Sequence, residues 1–179
     1  LDSNNAEYRN TYAGILASLR NYPEAREQYA KILELDPNNQ KIPLLLGIVE
    51  AESGNVSRGV EVLSKNLADN PDSYMALFYR ARMYLELDQV DKAKADLDKA
   101  LTLKPSFVEA GTALGLIHER MGNEEEAIKA YSRTQGNGAF RKRLAQIYLQ
   151  RNEYEKALAE LKMYEKSEPD DYSARVKIG

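Results

Sequence analysis

The chain has 179 residues, of which 43% are hydrophobic and 30% charged, an ordinary balance for a folded protein. Its net charge of −3 gives no general attraction for nucleic acid, and the absence of cysteine excludes disulfides and thiolate metal sites. The longest apolar run covers residues 42–49 and is far shorter than the roughly 20 residues that span a bilayer. We therefore predict no nucleic-acid partner and no membrane insertion.

A short polar sequence recurs along the chain. Residues 1–5 read LDSNN, and the closely similar LDPNN returns at residues 35–39. Pro37, Pro71 and Pro105 then follow one another at intervals of 34 residues. A fixed period of this length predicts supersecondary units stacked on one another.

Each period reads as a helix, a short turn and a second helix. Within residues 74–107, apolar residues recur at spacings of three and four before Asp88, and the same spacing restarts after Gln89. Proline at the end of the period stops the second helix. Gly54-Asn55 and Gly122-Asn123 occupy the corresponding turns of two other periods, where glycine favours the end of the first helix and asparagine the N-cap of the next.

Equivalent positions of the periods carry a small residue, an alanine, an aromatic residue or leucine, and a proline. The clearest sets are Ala13, Ala25, Tyr29 and Pro37, then Ala81, Ala93, Leu97 and Pro105, then Ala145, Ala157, Leu161 and Pro169. This pattern resembles the tetratricopeptide repeat family over nearly the whole chain. The resemblance implies an all-α, right-handed α-solenoid of antiparallel helix hairpins. Small residues would let the two helices of a hairpin approach closely, and large ones would fill the space between hairpins.

The period divides the chain into five expected repeats within one solenoid domain. They cover residues 6–39, 40–73, 74–107, 108–137 and 138–171. The fourth repeat is shorter by four residues, about one helical turn, and Gly136-Asn137-Gly138 would form its turn. This glycine-rich turn lacks the Lys-Ser/Thr pair and the preceding strand of a phosphate-binding loop.

Both ends of the chain read as partial repeats. Residues 1–5 resemble the tail of a preceding repeat, and residues 172–179 resemble the start of a truncated sixth. We therefore expect a piece of a longer array, with either weak self-association through its truncated ends or disorder beyond Ser173. The other interpretation is a natural N-terminal cap and a short C-terminal cap.

No residue pattern indicates catalysis, a metal site or a cofactor. The single histidine, His118, occupies a position where an aromatic residue normally packs between helices. Glu124–Glu126 occupy the first turn of a helix, where carboxylates interact favourably with the helix dipole. Asp96 and Asp98 are two residues apart on a helix and therefore lie on different faces. We predict a protein that is not an enzyme.

The resemblance implies that the first helices line a concave groove. The residues expected to face or border it lie on one helical stripe of each repeat and are Leu44, Ile48, Met75, Phe78, Arg82, Leu116, Lys142 and Arg143. A contiguous apolar patch favours a binding surface, although packing between adjacent first helices would explain the same residues. The basic run at residues 141–143 is either a solvated charged face, a nucleic-acid patch or a contact for an acidic ligand segment.

The family's clamp for a C-terminal carboxylate is not supported, because Asn10 and Gly14 occupy two of its positions. The function predicted from the sequence is a non-catalytic scaffold that binds a peptide or amphipathic helix of another protein. The alternative is an architectural or self-assembling spacer of a larger multidomain protein.

The second repeat departs most from the pattern, and its departures are Pro43, Glu50, Gly59 and Asn66. Glycine costs about 1 kcal/mol in a helix, and a buried carboxylate must be desolvated. This repeat is predicted to be less stable locally than the third.

Overall fold

The computed structural model describes residues 5–133 and 138–167, apart from the side chain of residue 139. The described residues form ten α-helices and no strand. The helices are α1 (Ala6–Ser18), α2 (Tyr22–Leu35), α3 (Ile42–Glu52), α4 (Val56–Asp69), α5 (Tyr74–Glu86), α6 (Val90–Leu103), α7 (Val108–Arg120), α8 (Glu124–Arg133), α9 (Gly138–Gln150) and α10 (Tyr154–Ser167). The expected turn at residues 136–137 and the expected end pieces at residues 1–4 and 172–179 lie outside the described residues.

The helices pair in chain order into five hairpins, numbered here from hairpin 1 (α1–α2) to hairpin 5 (α9–α10). The chain divides into two compact units, Leu1–Ala100 and Leu101–Gly179. In the first unit α2 packs on α3 and α4 on α5, and in the second α8 packs on α9. Consecutive hairpins within a unit therefore stack, and the predicted fold class, an all-α solenoid of helix hairpins, is confirmed.

Hydrogen-bonding side chains and prolines begin several of the helices. Asn5 accepts hydrogen bonds from the backbone N–H groups of Glu7 and Tyr8, at 2.9 and 3.1 Å, and so caps α1. Ser73 caps α5 in the same way through the N–H of Ala76. Proline occupies the first turn of both α2 and α3, where its missing N–H costs nothing.

The turn inside every hairpin uses one left-handed residue. The residues and their φ angles are Arg20 (59°), Gly54 (91°), Asp88 (57°), Gly122 (74°) and Asn152 (58°). In hairpin 2 the Gly54 N–H donates to the carbonyl of Ala51 and the Asn55 N–H to that of Glu50, both at 2.9 Å. Equivalent bonds close the other four turns, so each first helix ends in a Schellman motif.

The asparagine that follows the turn glycine was expected to cap the next helix. Asn55 does hold the N-cap position of α4, but its side chain makes no capping hydrogen bond. The expected position is therefore confirmed, while the amide nitrogen of Asn55 donates to Glu50 and Ser53, at 3.3 and 3.2 Å.

Glycine permits very close helix packing at two hairpins. A Cβ at Gly59 on α4 would lie 2.8 Å from the backbone oxygen of Gly47 on α3. A Cβ at Gly115 on α7 would lie 2.3 Å from a ring carbon of Tyr131 on α8. Real Cβ atoms essentially never approach so closely. The reading of Gly59 as only a helix-weakening residue is therefore incomplete, because its missing side chain makes the crossing of α3 and α4 possible.

Glu50 and Asn66, the two polar residues of hairpin 2 that differ from the repeat pattern, also have partners. Glu50, which was expected to carry a desolvation cost, forms an ion pair with Arg26 of α2 at 3.1 Å. The Asn66 amide nitrogen donates to the carbonyl of Gln40 at 3.3 Å. These contacts join hairpin 2 to hairpin 1 and to the connection between them.

Candidate protein-binding surface

The first compact unit holds five of the eight residues predicted to line the groove. Leu44 and Ile48 are four residues apart on α3, and Met75 and Phe78 are three apart on α5, so each pair lies on one helix face. All four side chains are half-buried, and α3 and α5 are in contact. Each helix therefore carries two apolar side chains that are partly accessible.

Arg82 lies one helical turn after Phe78 and is exposed. Its guanidinium carbon lies 5.7 Å from the centroid of the Tyr79 ring, a cation–π contact. The Tyr79 ring in turn meets the Phe78 ring edge to face, with centroids 5.5 Å apart. Phe78, Tyr79 and Arg82 thus form a small aromatic and cationic cluster on α5.

The other three predicted groove residues lie in the second unit. Leu116 on α7 is 42% exposed. The Lys142 ammonium lies 5.0 Å from the centroid of the Tyr164 ring of α10. Arg143 donates through Nε and Nη2 to the Glu119 carboxylate of α7, with Nη2 to Oε2 at 2.7 Å.

Glu119 is the acceptor of a small network that the sequence did not reveal. It accepts from Arg143 and also from the Tyr131 hydroxyl of α8, at 3.1 Å. Burial, helped by the charge of Glu119, raises the pKa of the Tyr131 phenol above its ordinary value. Arg143 therefore ties α9 to α7, and an acidic ligand would have to compete with Glu119 for it.

The third basic residue of the run is also engaged. Arg141 donates to Glu160 of α10 at 3.1 Å and contacts the sulfur of Met163. All three side chains at residues 141–143 thus have partners in their own compact unit. For the two arginines, opposite charges on neighbouring helices were a sequence signal, but the spacing alone did not show which charges would meet.

His118 and the acidic residues at 124–126 were considered for catalysis or metal binding, and the structure shows their surroundings. His118 is half-buried, and its Nδ1 has no hydrogen-bond partner among the described residues. Glu125 and Glu126 form ion pairs with Arg151 and Lys129. The described part of the chain contains no group of three residues able to hold a metal ion. Nor does it contain a helix long and apolar enough to cross a membrane.

Two family models of the tetratricopeptide repeat match the chain, one over residues 16–81 and 129–177 and the other over residues 84–142. The chain therefore belongs to the tetratricopeptide repeat family. Repeats of this family generally bind other proteins, and its members are generally non-catalytic scaffolds.

Curated relatives match parts of the chain. A tetratricopeptide repeat and J domain-containing co-chaperone of Fusarium oxysporum is 31% identical over 78 residues, which are 44% of this chain. Anaphase-promoting complex subunit 3 of Schizosaccharomyces pombe is 21% identical over 164 residues, or 89% of this chain. The matches span only 15% and 25% of those two relatives.

Solved structures show the same fold over most of the chain. A crystal structure of MamA superimposes with a TM-score of 0.72 and 24% identity, covering 88% of this chain and 94% of that one. A thermophilic TPR protein of Thermus thermophilus gives a TM-score of 0.65 with 18% identity, covering 97% and 96% of the two chains.

Proposed function

We propose that this chain is a non-catalytic protein-interaction module that binds a peptide or amphipathic helix on the stripe formed by α3 and α5. The observation that carries the proposal is the cluster of Phe78, Tyr79 and Arg82 beside the partly accessible Met75. Interface energy concentrates in a few aromatic and arginine side chains set in apolar surroundings. The family assignment supports the class of partner, because these repeats generally bind proteins.

The chemistry of the stripe defines the ligand. Leu44, Ile48 and Phe78 suit apolar anchors spaced along a helix or an extended segment. Arg82 offers a planar, multi-donor guanidinium that pairs best with a carboxylate or with the carbonyl end of a helix. The expected ligand therefore carries apolar anchors and at least one acidic group.

Peptide selection from a displayed library, followed by calorimetry, tests the proposal. Phe78→Ala and Arg82→Ala should each weaken the selected peptide by about tenfold or more, the effect of losing a main anchor of an interface. Helical content and melting temperature should stay close to those of the parent chain. The matched controls Lys92→Ala and Lys99→Ala change exposed lysines of α6 and should leave affinity unchanged. If the α5 variants unfold the protein as much as they weaken binding, these residues belong to the core and the proposal fails.

A specific observation favours the architectural alternative as a second candidate. Tyr8 and Ile15 of α1 are 47% and 54% exposed. At the equivalent positions of hairpin 2, Ile42 and Val49 are only 4% and 3% exposed. The outer face of α1 thus offers apolar area of the kind that hairpin stacking buries elsewhere.

Sedimentation of the parent chain and of Ile15→Glu tests this alternative. Self-association that rises with concentration in the parent chain and disappears in the variant would support a self-assembling spacer. A monomer at all concentrations in both proteins would count against it. Phe78→Ala serves as the control and should sediment like the parent chain.

A further inference from the structure

Hairpin 5 differs from the other hairpins at one exposed position of its second helix. Met163 of α10 is 51% exposed. In each of the other four hairpins the equivalent position carries a cation, namely Lys31, Lys65, Lys99 and Arg133. Hairpin 5 therefore exposes a thioether sulfur at a position where the other hairpins place a positive charge in water.

The Met163 sulfur lies against an arginine of the neighbouring helix. Arg141 Nη1 on α9 lies 2.8 Å from this sulfur and 3.1 Å from Glu160 Oε2 of α10. The nitrogen carries two hydrogens, so the carboxylate can accept from one and the sulfur from the other. A thioether sulfur is only a weak acceptor. The second hydrogen of Nη1 is therefore poorly used while Met163 is reduced.

The contact between arginine and sulfur is particular to hairpin 5 and is not a property of the repeat. Arg9 and Gln28 of hairpin 1 occupy the positions of Arg141 and Glu160, and Arg9 Nη1 donates to Gln28 Oε1 at 2.7 Å. The position of Met163 is held there by Lys31, which pairs with Glu27. Hairpin 1 thus keeps the arginine and its acceptor but has no sulfur beside them.

We propose that Met163 is a site of reversible oxidation by a peroxide, and that its sulfoxide fastens α10 to α9 through Arg141. The sulfur lone pair attacks one oxygen of hydrogen peroxide, and the O–O bond breaks. The transferred oxygen loses its proton, which leaves with the departing hydroxide as water. The sulfur loses two electrons and the peroxide gains them. The sulfoxide oxygen is a polar acceptor, and the flexible side chain lets it reach the second hydrogen of Arg141 Nη1.

Exposure decides whether such an oxidation strengthens or weakens the fold. Sulfoxide formation usually disrupts apolar packing, because it turns an apolar side chain into a polar one. Met83 is only 3% exposed and lies against Gly59 of α4, so an oxygen added there would have to enter packed surroundings. Half of the Met163 side chain is already in water, so its oxidation disrupts little packing and adds a hydrogen bond.

Peroxide treatment of a variant with fewer methionines tests the proposal. The chain has four methionines, and the variant Met75→Leu/Met121→Leu keeps only Met163 and the buried Met83. Mild hydrogen peroxide should add one oxygen at Met163, which peptide mass spectrometry locates. The melting temperature should rise by about 2 °C, the effect of one additional hydrogen bond. Methionine sulfoxide reductases A and B together should reverse both changes.

Matched variants separate the hydrogen bond from oxidation in general. Arg141→Ala in the same background removes the donor, and its melting temperature should stay unchanged or fall on oxidation. Met163→Gln offers a carbonyl oxygen without any oxidation and should melt about 2 °C higher than Met163→Leu. In Met75→Leu/Met163→Leu, oxidation of Met121, which is 50% exposed, should bring no rise.

Three results would overturn the proposal. The first is an equal rise in melting temperature on oxidation of Arg141→Ala, which would show that Arg141 is not the donor. The second is a fall on oxidation of Met163 in the background that keeps Arg141. The third is a Met163 that stays reduced in the parent chain under conditions that oxidise Met121.

Discussion

Hairpin 2 and hairpin 3 follow one another in the chain, yet they bury different groups at equivalent positions. Hairpin 3 places Ala81 and Ala93 where its two helices cross, and hairpin 2 places Gly47 and Gly59 there. The alanines are fully buried. In hairpin 2 the backbones approach so closely that a Cβ at Gly59 would meet a backbone oxygen. A departure from the repeat pattern can thus mark tighter packing as well as a weaker helix.

The polar groups of the two hairpins differ as well. Arg80 and Asp96 of hairpin 3 form a bidentate ion pair with both distances at 2.7 Å, and Arg80 also donates to Ser64 of α4. In hairpin 2, Glu50 reaches back to Arg26 of hairpin 1 through a bond of 3.1 Å. Hairpin 3 is therefore held by internal charges, whereas hairpin 2 is held by close backbone packing and by ties to hairpin 1.

The largest expected effect separates these two ion pairs. Asp96→Ala leaves Arg80, whose side chain is only 18% exposed, without its carboxylate, which should lower the free energy of unfolding by about 3 kcal/mol, the lower end of the range for a buried pair. Glu50→Ala breaks a pair whose arginine side chain is 33% exposed, and the loss should be about 1 kcal/mol. Urea unfolding measures both. Equal losses for the two variants would remove this distinction between the hairpins.

The next prediction concerns the glycine crossing. Gly59→Ala gains about 1 kcal/mol of helix propensity but introduces a clash of the kind that costs roughly 1–3 kcal/mol, so a net loss of up to about 2 kcal/mol is expected. The control is Gly14→Ala on α1, where nothing lies within 4 Å of an added Cβ. That variant should gain about 0.5–1 kcal/mol. Stabilisation by both substitutions would show that Gly59 is only a weak helix residue.

A smaller effect is expected at the left-handed turn position. Gly54→Ala should lose about 1 kcal/mol, because a side chain is strained at its φ of 91°. Asp88→Gly at the same position of hairpin 3 should gain about 0.5 kcal/mol, because glycine adopts the left-handed conformation without strain. The gain is small because aspartate already tolerates this conformation better than alanine does. Thermal unfolding of the two variants measures opposite shifts, and shifts of the same sign would be evidence against a shared turn geometry.

The smallest expected difference is in local stability. Amides at the centre of α3 and α4 should exchange about threefold faster than those at the centre of α5 and α6, because hairpin 2 has two helix glycines and no internal ion pair like that of hairpin 3 among its described residues. Native-state hydrogen exchange followed by NMR measures this difference. Equal or greater protection in residues 40–73 would mean that the close packing at the glycines stabilises hairpin 2 by more than the helix glycines and the missing ion pair destabilise it.

The sequence by itself determined the repeat and its local pattern. Periodic apolar residues, the prolines at Pro37, Pro71 and Pro105, and the small residues of each period predicted helix hairpins, because these signals act within a few residues of the chain. The same information predicted a surface for binding other proteins, through the family that the pattern resembles. The position of Phe78 and Arg82 on one face of α5 followed from helical spacing alone.

Only the tertiary structure decided which groups meet. The sequence allowed Asp96 to be removed from consideration as a metal ligand but did not pair it with Arg80, sixteen residues away. It identified Gly59 and Asn66 as residues that differ from the repeat pattern. It did not show that a backbone oxygen lies beside Gly59 or that Asn66 Oδ1 has no partner among the described residues. Helix period depends on neighbours along the chain, whereas close approach and hydrogen-bond satisfaction depend on side chains from other helices, whose distances local periodicity does not specify.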